Sequence, residues 1–201
     1  MAAGKFNVPV LEITQAADVG MGSFYNHFDS KEQLFSAAMN EVLDAHGALL
    51  DRLTDDGEDP ALTFARSFRL TGRLFRRRPD LSRVLLNGGL TLISADRGLA
   101  PRALRDIVSA TQADRFTVDD PALALAVAGG SLMGLGQLLA DDPERDDAAA
   151  ADRVTQDVLI MFGVSAAEAA EICGLPLPDL DELTESSALR ASGSSLPDSA
   201  A

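Results

Sequence analysis

The sequence predicts an all-α protein in which two short helices precede a bundle of longer ones. Two observations support this fold class. Apolar residues recur every three or four positions along most of the 201 residues, which is typical of helices with one buried face. The chain also lacks the sustained alternation of apolar and polar residues that indicates a β-strand. Its 46% hydrophobic and 24% charged residues are typical of a globular protein with a core.

The first two predicted helices are short and close together. The pattern predicts helices over 10–17 and 21–27, separated by a turn around 18–20. Val19 and Phe24 are expected to fill the angle between them. Two short helices about three residues apart form the helix-turn-helix arrangement, in which the second helix enters the major groove of DNA.

The longer helices are marked by capping residues and prolines. Ser30 and Gln33 form a capping-box pattern at the start of a helix whose apolar stripe runs to Leu53. Further helices are predicted over 60–78, 80–86, 101–116, 121–140, 144–162 and 166–172. From Pro176 onward the chain is rich in Pro, Ser, Asp and Ala, so this tail is expected to be disordered.

Charge and composition limit the possible functions. The net charge of −14 argues against broad binding of nucleic acid, but the acidic residues concentrate late in the chain and say little about one small face. The single cysteine, Cys173, cannot form an internal disulfide, which fits a reducing cytosol. The two histidines, His27 and His46, show no metal-ligand spacing, and no nucleophile motif occurs. We therefore expect a cytoplasmic protein that is not an enzyme and holds no metal or cofactor.

One segment has the length of a membrane span. Residues 121–140 carry no charge, which matches the roughly twenty residues that cross a bilayer. The segment is rich in Ala and Gly, has Asp pairs at both ends and lacks an aromatic belt. A buried helix is therefore favoured over a membrane span.

The second short helix carries side chains that suit DNA. Hydroxyl, amide and imidazole groups can bind phosphates and base edges. These groups belong to Ser23, Tyr25, Asn26 and His27. Gly20 and Gly22 permit close approach of the backbone, and Lys31 is placed for one more phosphate contact.

Residues 8–35 resemble the DNA-binding segment of the TetR family. They contain an Ile-x-x-x-Ala-x-Val start at Ile13, a Gly-Ser pair, an aromatic pair in a segment that ends in His-Phe, and then Ser-Lys-Glu. The resemblance implies a homodimeric transcription regulator that binds a double-stranded DNA operator and a small-molecule effector. It implies DNA contacts at Gly20, Met21, Gly22, Tyr25, Asn26, His27 and Lys31.

The sequence departs from the family pattern in two places. The family has a full helix before this motif, whereas only Met1–Phe6 precede it here. We expect either that the true start lies upstream or that the protein has lost part of its DNA-binding domain. Met21 stands where the family often has a polar or basic residue, which is expected to weaken a phosphate contact or to alter the DNA sequence that is read.

The predicted bundle supplies candidates for an effector site and a dimer interface. The effector candidates lie on apolar helix faces and are His46, Phe64, Phe68 and Phe75. A lone histidine on such a face is more often a core residue than a pocket residue, so both roles stay open for His46. Small residues let two helices pack closely, and the resemblance implies a four-helix dimer interface. The interface candidates are Gly130, Gly134, Val154, Val158, Met161 and Phe162.

A run of arginines follows the helical period within 60–78. The run contains Arg66, Arg69, Arg73 and Arg76. A solvated face paired with acidic residues is favoured over an anion-binding stripe.

These observations combine into one prediction with one alternative. We expect a helix-turn-helix domain over 1–30, incomplete at its start, a helical ligand-binding and dimerisation domain over 31–175, and a disordered tail over 176–201. The favoured function is a ligand-responsive repressor that binds a pseudo-palindromic operator as a dimer. The alternative is a ligand-binding and dimerisation module that has lost DNA binding, which the absent first helix and the acidic charge favour.

Overall fold

The computed structural model describes residues 8–53, 57–89 and 98–178, and the regular elements in these ranges are helical. The helices are α1 (Val10–Ala16), α2 (Met21–His27), α3 (Lys31–Asp51), α4 (Pro60–Arg77), α5 (Pro79–Gly88), α6 (Leu99–Gln112), α7 (Pro121–Asp141), α8 (Asp147–Met161) and α9 (Ala166–Gly174). The predicted all-α fold is confirmed. The tail that was expected to be disordered lies outside the described residues beyond 178.

The chain divides into two compact units, Met1–Val42 and Leu43–Ala201. In the first unit, Phe24 of α2 is buried, and its ring lies 5.1 Å from Tyr25 and 5.8 Å from Phe28. Thr14 of α1 is buried as well, and its carbonyl oxygen accepts a hydrogen bond of 2.9 Å from the backbone N–H of Val19. Phe24 therefore occupies the predicted interior position, whereas the side chain of Val19 is exposed.

The start of α3 carries the predicted cap. Ser30 Oγ accepts a hydrogen bond of 3.1 Å from the backbone N–H of Gln33. The side chain of Gln33 reaches back and accepts a hydrogen bond from the backbone N–H of Asp29. Both bonds occupy N–H groups that have no partner within the helix, so they fix where α3 begins.

The second unit is built around α4, which contacts each of α5, α6, α7, α8 and α9. Asp59 caps it by accepting a hydrogen bond of 2.9 Å from the backbone N–H of Ala61. Rings from three parts of the chain meet on its buried face, because Phe64 lies 5.5 Å from Phe116 and 5.7 Å from Phe162. These aromatic contacts form the centre of the core.

Two predicted helix limits are corrected. The helix over 101–116 is α6, which ends at Gln112 because Asp114 adopts a positive φ of 56°. The backbone N–H groups of Arg115 and Phe116 then both donate to the carbonyl oxygen of Ala110, which closes the helix. The helix over 144–162 is α8, which starts at Asp147 because Asp146 caps it at the backbone N–H of Ala149.

The arginines of α4 are largely withdrawn from solvent. Arg69 and Arg73 both pair with Asp152 of α8, at 2.7 and 2.9 Å. Arg76 donates to the carbonyl oxygens of Leu139 and Asp142, each at 3.0 Å. The pairing with an acid was expected, but Arg69 is buried, so these side chains hold α4 to its neighbours instead of forming a solvated face.

In the described part of the chain, α7 is the one helix long and apolar enough to span a membrane. It packs against α4, α5, α6 and α8, which supports its assignment to the bundle. Within the subunit, α7 buries only one side. Its other side exposes Leu123, which is 64% accessible, together with Val127 and Leu138.

Candidate DNA-reading helix and ligand cavity

Most side chains of helix α2 are exposed, and one buried side chain holds the helix in place. Phe24 fixes it to the first unit, while Met21 is exposed and Tyr25 is 56% accessible. Its sequence, Met-Gly-Ser-Phe-Tyr-Asn-His, contains no acidic side chain although the chain carries a net charge of −14. This helix is therefore spared the phosphate repulsion that the acidic parts of the protein would cause.

Two of the predicted DNA contacts have polar partners inside the first unit. The Nδ1 of His27 lies 2.9 Å from the carbonyl oxygen of Ser23, which accepts, so Nδ1 is the donor of this bond. Lys31 Nζ donates to the carbonyl oxygen of Val8 at 3.2 Å. Contact of either residue with DNA remains a prediction.

The glycines at the start of α2 are not explained by packing. A Cβ atom at Gly20 or at Gly22 would meet no protein atom within 4 Å. Gly20 has a φ of −74°, which any residue can adopt. Close approach of an outside partner would explain both glycines, and a phosphate backbone at a helix N-terminus is such a partner.

Two adjoining cavities lie inside the second unit, with volumes of about 70 and 90 Å³. Both are lined by residues of α3, α4, α6 and α7, and Leu85 of α5 adds to the larger one. The residues common to both are Phe64, Phe68, Thr71, Leu99, Ala103 and Leu132. Because these six residues line both cavities, we treat the cavities as two chambers of one site.

The smaller cavity, which we call the charged chamber, is lined by four ionisable side chains. Arg102 Nε donates to Asp51 at 2.9 Å, and Arg105 donates to the other oxygen of Asp51 at 2.8 Å. Arg105 also donates to Asp106 Oδ1 at 3.0 Å. Arg102 further donates to the carbonyl oxygen of Gly98 at 2.8 Å. The chamber thus combines two carboxylates and two guanidinium groups beside the rings of Phe64 and Phe68.

Burial and hydrogen bonding act differently on the two carboxylates. Burial raises the pKa of Asp106, and the hydrogen bond from Arg105 only partly opposes it. Burial also acts to raise the pKa of Asp51, but hydrogen bonds from Arg102 and Arg105 outweigh it and hold that pKa below its usual value. The chamber therefore presents an ionised carboxylate at Asp51 and a more basic one at Asp106.

The predicted effector residues divide into two groups. Phe64 and Phe68 line both chambers. Phe75 lines neither chamber, because its ring packs against Gly136 of α7. His46 also lines neither, but its Nε2 lies 3.3 Å from Oγ1 of Thr71, which lines both. Burial, with a smaller effect of the charge of Arg78, lowers the pKa of His46 to about 4.

The predicted interface residues also divide. Gly130 and Gly134 have open space where a Cβ would stand, and Met161 is 59% accessible. Val158 of α8 and Phe162, which directly follows α8, instead lie in the core of the second unit. Their side chains are therefore not exposed for a second subunit, and the interface prediction now depends on the other candidates.

The charged chamber was not found from the sequence. Its signal is Arg-x-x-Arg-Asp, from Arg102 to Asp106, which places the three side chains on adjacent positions of one helix. Such a pattern is more often a solvated face. Asp51, the partner of both arginines, lies about fifty positions earlier, so the sequence alone does not bring them together.

Comparisons with known proteins agree along most of the chain. Residues 5–38 match the family described as bacterial regulatory proteins, tetR family, and residues 59–174 match the tetracyclin repressor-like C-terminal domain. Among solved structures, RolR in complex with resorcinol is 33% identical, with a TM-score of 0.66 over 89% of this chain and 88% of that chain. RolR without ligand is also 33% identical, with a TM-score of 0.65 over 87% of this chain and 90% of that chain. No curated protein matches the chain.

These matches define the class of the protein as a transcription regulator with a helix-turn-helix unit and a helical C-terminal domain. The chain belongs to the TetR family, whose members bind DNA and small-molecule effectors and are transcription factors, not enzymes. The resemblance seen in residues 8–35 is confirmed.

Proposed function

We propose that the protein is a dimeric repressor that a small aromatic ligand releases from DNA. Each subunit places α2 in one half of a pseudo-palindromic operator. The ligand occupies the two chambers between α3, α4, α6 and α7. The observation that carries this proposal is a cavity between helices that four ionisable side chains line at one end, in a regulator whose 33% identical relative was solved with resorcinol.

Exposure and charge support the proposed DNA contacts. The surface of α2 is exposed apart from Phe24 and carries no acidic group. The proposed contacts are Gly20, Met21, Gly22, Ser23, Tyr25, Asn26, His27 and Lys31. The proposed domain limits remain 1–30, 31–175 and 176–201.

The exposed side of α7 and α8 supports the proposed dimer. Apolar side chains on this side are exposed in the isolated subunit, and a patch of this kind on a soluble protein marks an interaction surface. The exposed members are Leu123, Val127, Leu138, Ile160 and Met161. Gly130 and Gly134 lie on the same helix and allow a partner helix to approach closely, and Val154 is half-buried.

The chemistry of the charged chamber supports a phenolic ligand. Resorcinol is a benzene ring with two hydroxyl groups, and each hydroxyl both donates and accepts a hydrogen bond. Asp51 and Asp106 supply acceptors, Arg102 and Arg105 supply donors, and the rings of α4 supply an aromatic wall. A ring bound here would lie in apolar surroundings while its hydroxyl groups reach charged partners.

Fluorescence anisotropy with duplexes from the DNA that flanks the protein's own gene tests the proposal. We expect specific, salt-sensitive binding that resorcinol reverses. Asn26→Ala should weaken binding about tenfold, the effect of losing one base contact, while Ser36→Ala on exposed α3 should leave it unchanged. A folded dimer that binds none of this DNA would instead support the alternative, a module that has lost DNA binding.

A further inference from the structure

The charged chamber retains hydrogen-bonding capacity for a ligand. Arg102 uses Nε and Nη1 in its bonds to Asp51, Asp44 and Gly98, and Asp106 accepts at Oδ1. Among the described residues, Nη2 of Arg102 and Oδ2 of Asp106 therefore have no hydrogen-bond partner. Arg102 and Asp106 both line this chamber, and a hydroxyl group can use one donor and one acceptor.

The second chamber is more uniformly apolar than the charged chamber, whose surface is itself mostly apolar. Its volume of about 90 Å³ is slightly larger than the 70 Å³ of the charged chamber, and no ionisable side chain lines it. Apart from the shared wall, it is lined by Leu43, Leu85, Ala100, Leu125, Ala128, Gly129 and Met133. The one polar side chain in its lining, that of Thr71, already bonds to Ser67 and His46, so an apolar ligand fills this chamber best.

The two chambers together indicate a ligand with a polar end and an apolar end. A molecule that fills only the charged chamber would leave an apolar cavity of similar size empty. Each methylene group moved from water into such a cavity strengthens binding roughly fourfold. A hydrocarbon substituent that enters the apolar chamber is therefore expected to raise affinity steeply.

We infer that the effector is an amphiphilic phenol, with a dihydroxylated ring in the charged chamber and a hydrocarbon substituent of several carbons in the apolar chamber. This inference rests on the proposed function, and it names the chemical class of the ligand beyond resorcinol itself. The aromatic residues Phe64 and Phe68 line both chambers and would contact the ring where the substituent leaves it.

Isothermal titration calorimetry of the full chain tests the inference. The ligands are resorcinol and its methyl and pentyl derivatives, with the substituent at ring position 4 or 5. We expect the better methyl isomer to bind roughly fourfold more tightly than resorcinol, and the better pentyl isomer at least about tenfold more tightly. Pentyl compounds that bind no better than resorcinol would overturn the inference and leave the proposed regulator intact.

Variants in which the apolar chamber is filled distinguish binding of the pentyl group in that chamber from its nonspecific binding elsewhere. Ala100→Leu places a larger side chain in that chamber, and Gly129→Leu is a second variant if the first does not fold. Either should abolish the pentyl advantage and retain resorcinol binding. Ala167→Leu makes the same change on the exposed side of α9 and should retain the advantage. A pentyl advantage that persists in a folded chamber variant would contradict the inference.

The calorimetry is independent of DNA, so the two proposals fail separately. Loss of DNA binding with a retained pentyl advantage would overturn the repressor and support the ligand class. Specific DNA binding with no heat from any member of the resorcinol series would overturn the ligand class.

Discussion

At the scale of single residues, Gly47 shows how one missing side chain shapes the ligand site. A Cβ on Gly47 would lie 2.6 Å from Nε and 2.7 Å from Cζ of Arg102. Arg102 lies across α3 at this point and reaches Asp51 at 2.9 Å. The glycine therefore permits the arginine of the charged chamber to take its position.

Gly47→Ala is expected to weaken resorcinol binding about tenfold, because a displaced Arg102 loses one charge-assisted hydrogen bond. The melting temperature should change little, since the ion pair is partly exposed and alanine favours the helix. Calorimetry and thermal unfolding measure the two effects. Gly174→Ala, where a Cβ meets no atom within 4 Å, is the control and should alter neither. Unchanged affinity in Gly47→Ala would show that Arg102 does not hold the ligand.

His46 makes the stability of the second unit depend on pH. Its ring donates to Thr71 Oγ1, because that hydroxyl already donates to the carbonyl oxygen of Ser67 at 2.7 Å. Burial lowers its folded pKa from 6.5 to about 4, so the unfolded chain binds the proton more readily between those values. Stability from this residue is therefore present above pH 6.5 and is lost as the pH falls towards 4.

Urea unfolding at pH 7 and pH 5 measures this effect. Protonation of His46 should lower the free energy of unfolding by about 2 kcal/mol between pH 7 and pH 5. His46→Gln keeps an N–H donor for Thr71 but does not titrate, so its loss should be smaller by that amount. Asp51 and Asp59, whose pKa values are held below normal, act at lower pH and in both proteins alike. Equal losses in the two proteins would contradict the buried state of His46.

At the scale of helices, local sequence patterns predicted most of the helices, whereas contacts between distant parts of the chain were missed. Ser30 with Gln33 marks the start of α3 in the sequence and caps it in the structure. Asp59 and Asp120 cap α4 and α7 in the structure. The end of α6 was missed because Asp114 takes a positive φ without being a glycine. The charged chamber was missed for a different reason, since its pairing of α3 with α6 depends on packing and not on neighbouring residues.

The contact between α4 and α8 depends on Asp152, which pairs with both Arg69 and Arg73. Asp152→Asn would leave two largely withdrawn guanidinium groups without their counter-ion and should destabilise the protein by about 2–4 kcal/mol. Asp157→Asn is a matched control on the same helix, because its partner Arg153 is 72% exposed. That change should lower the free energy of unfolding by less than about 0.5 kcal/mol. Similar unfolding midpoints for the two variants in urea would show that Asp152 is not structural.

At the scale of the whole molecule, the exposed apolar side of α7 and α8 predicts the assembly. The subunit leaves Leu123, Leu138 and Met161 in solvent although its core is well formed. A second copy that covers this side would remove the exposed apolar area and give one assembly two copies of α2. Gly134 is well suited to test it, because a Cβ there meets no atom of its own subunit within 4 Å.

Gly134→Glu should fold as a monomer, because the new carboxylate has room in the isolated subunit but would be buried without a partner in a dimer. Light scattering should report half the mass of the unaltered protein, and specific DNA affinity should fall at least about a hundredfold, since one half-site contact is lost along with its avidity. Ala167→Glu adds the same charge on the exposed side of α9 and should leave the dimer and DNA binding intact. A dimer that survives in Gly134→Glu would move the interface away from α7, and the exposed apolar side would then need a different partner.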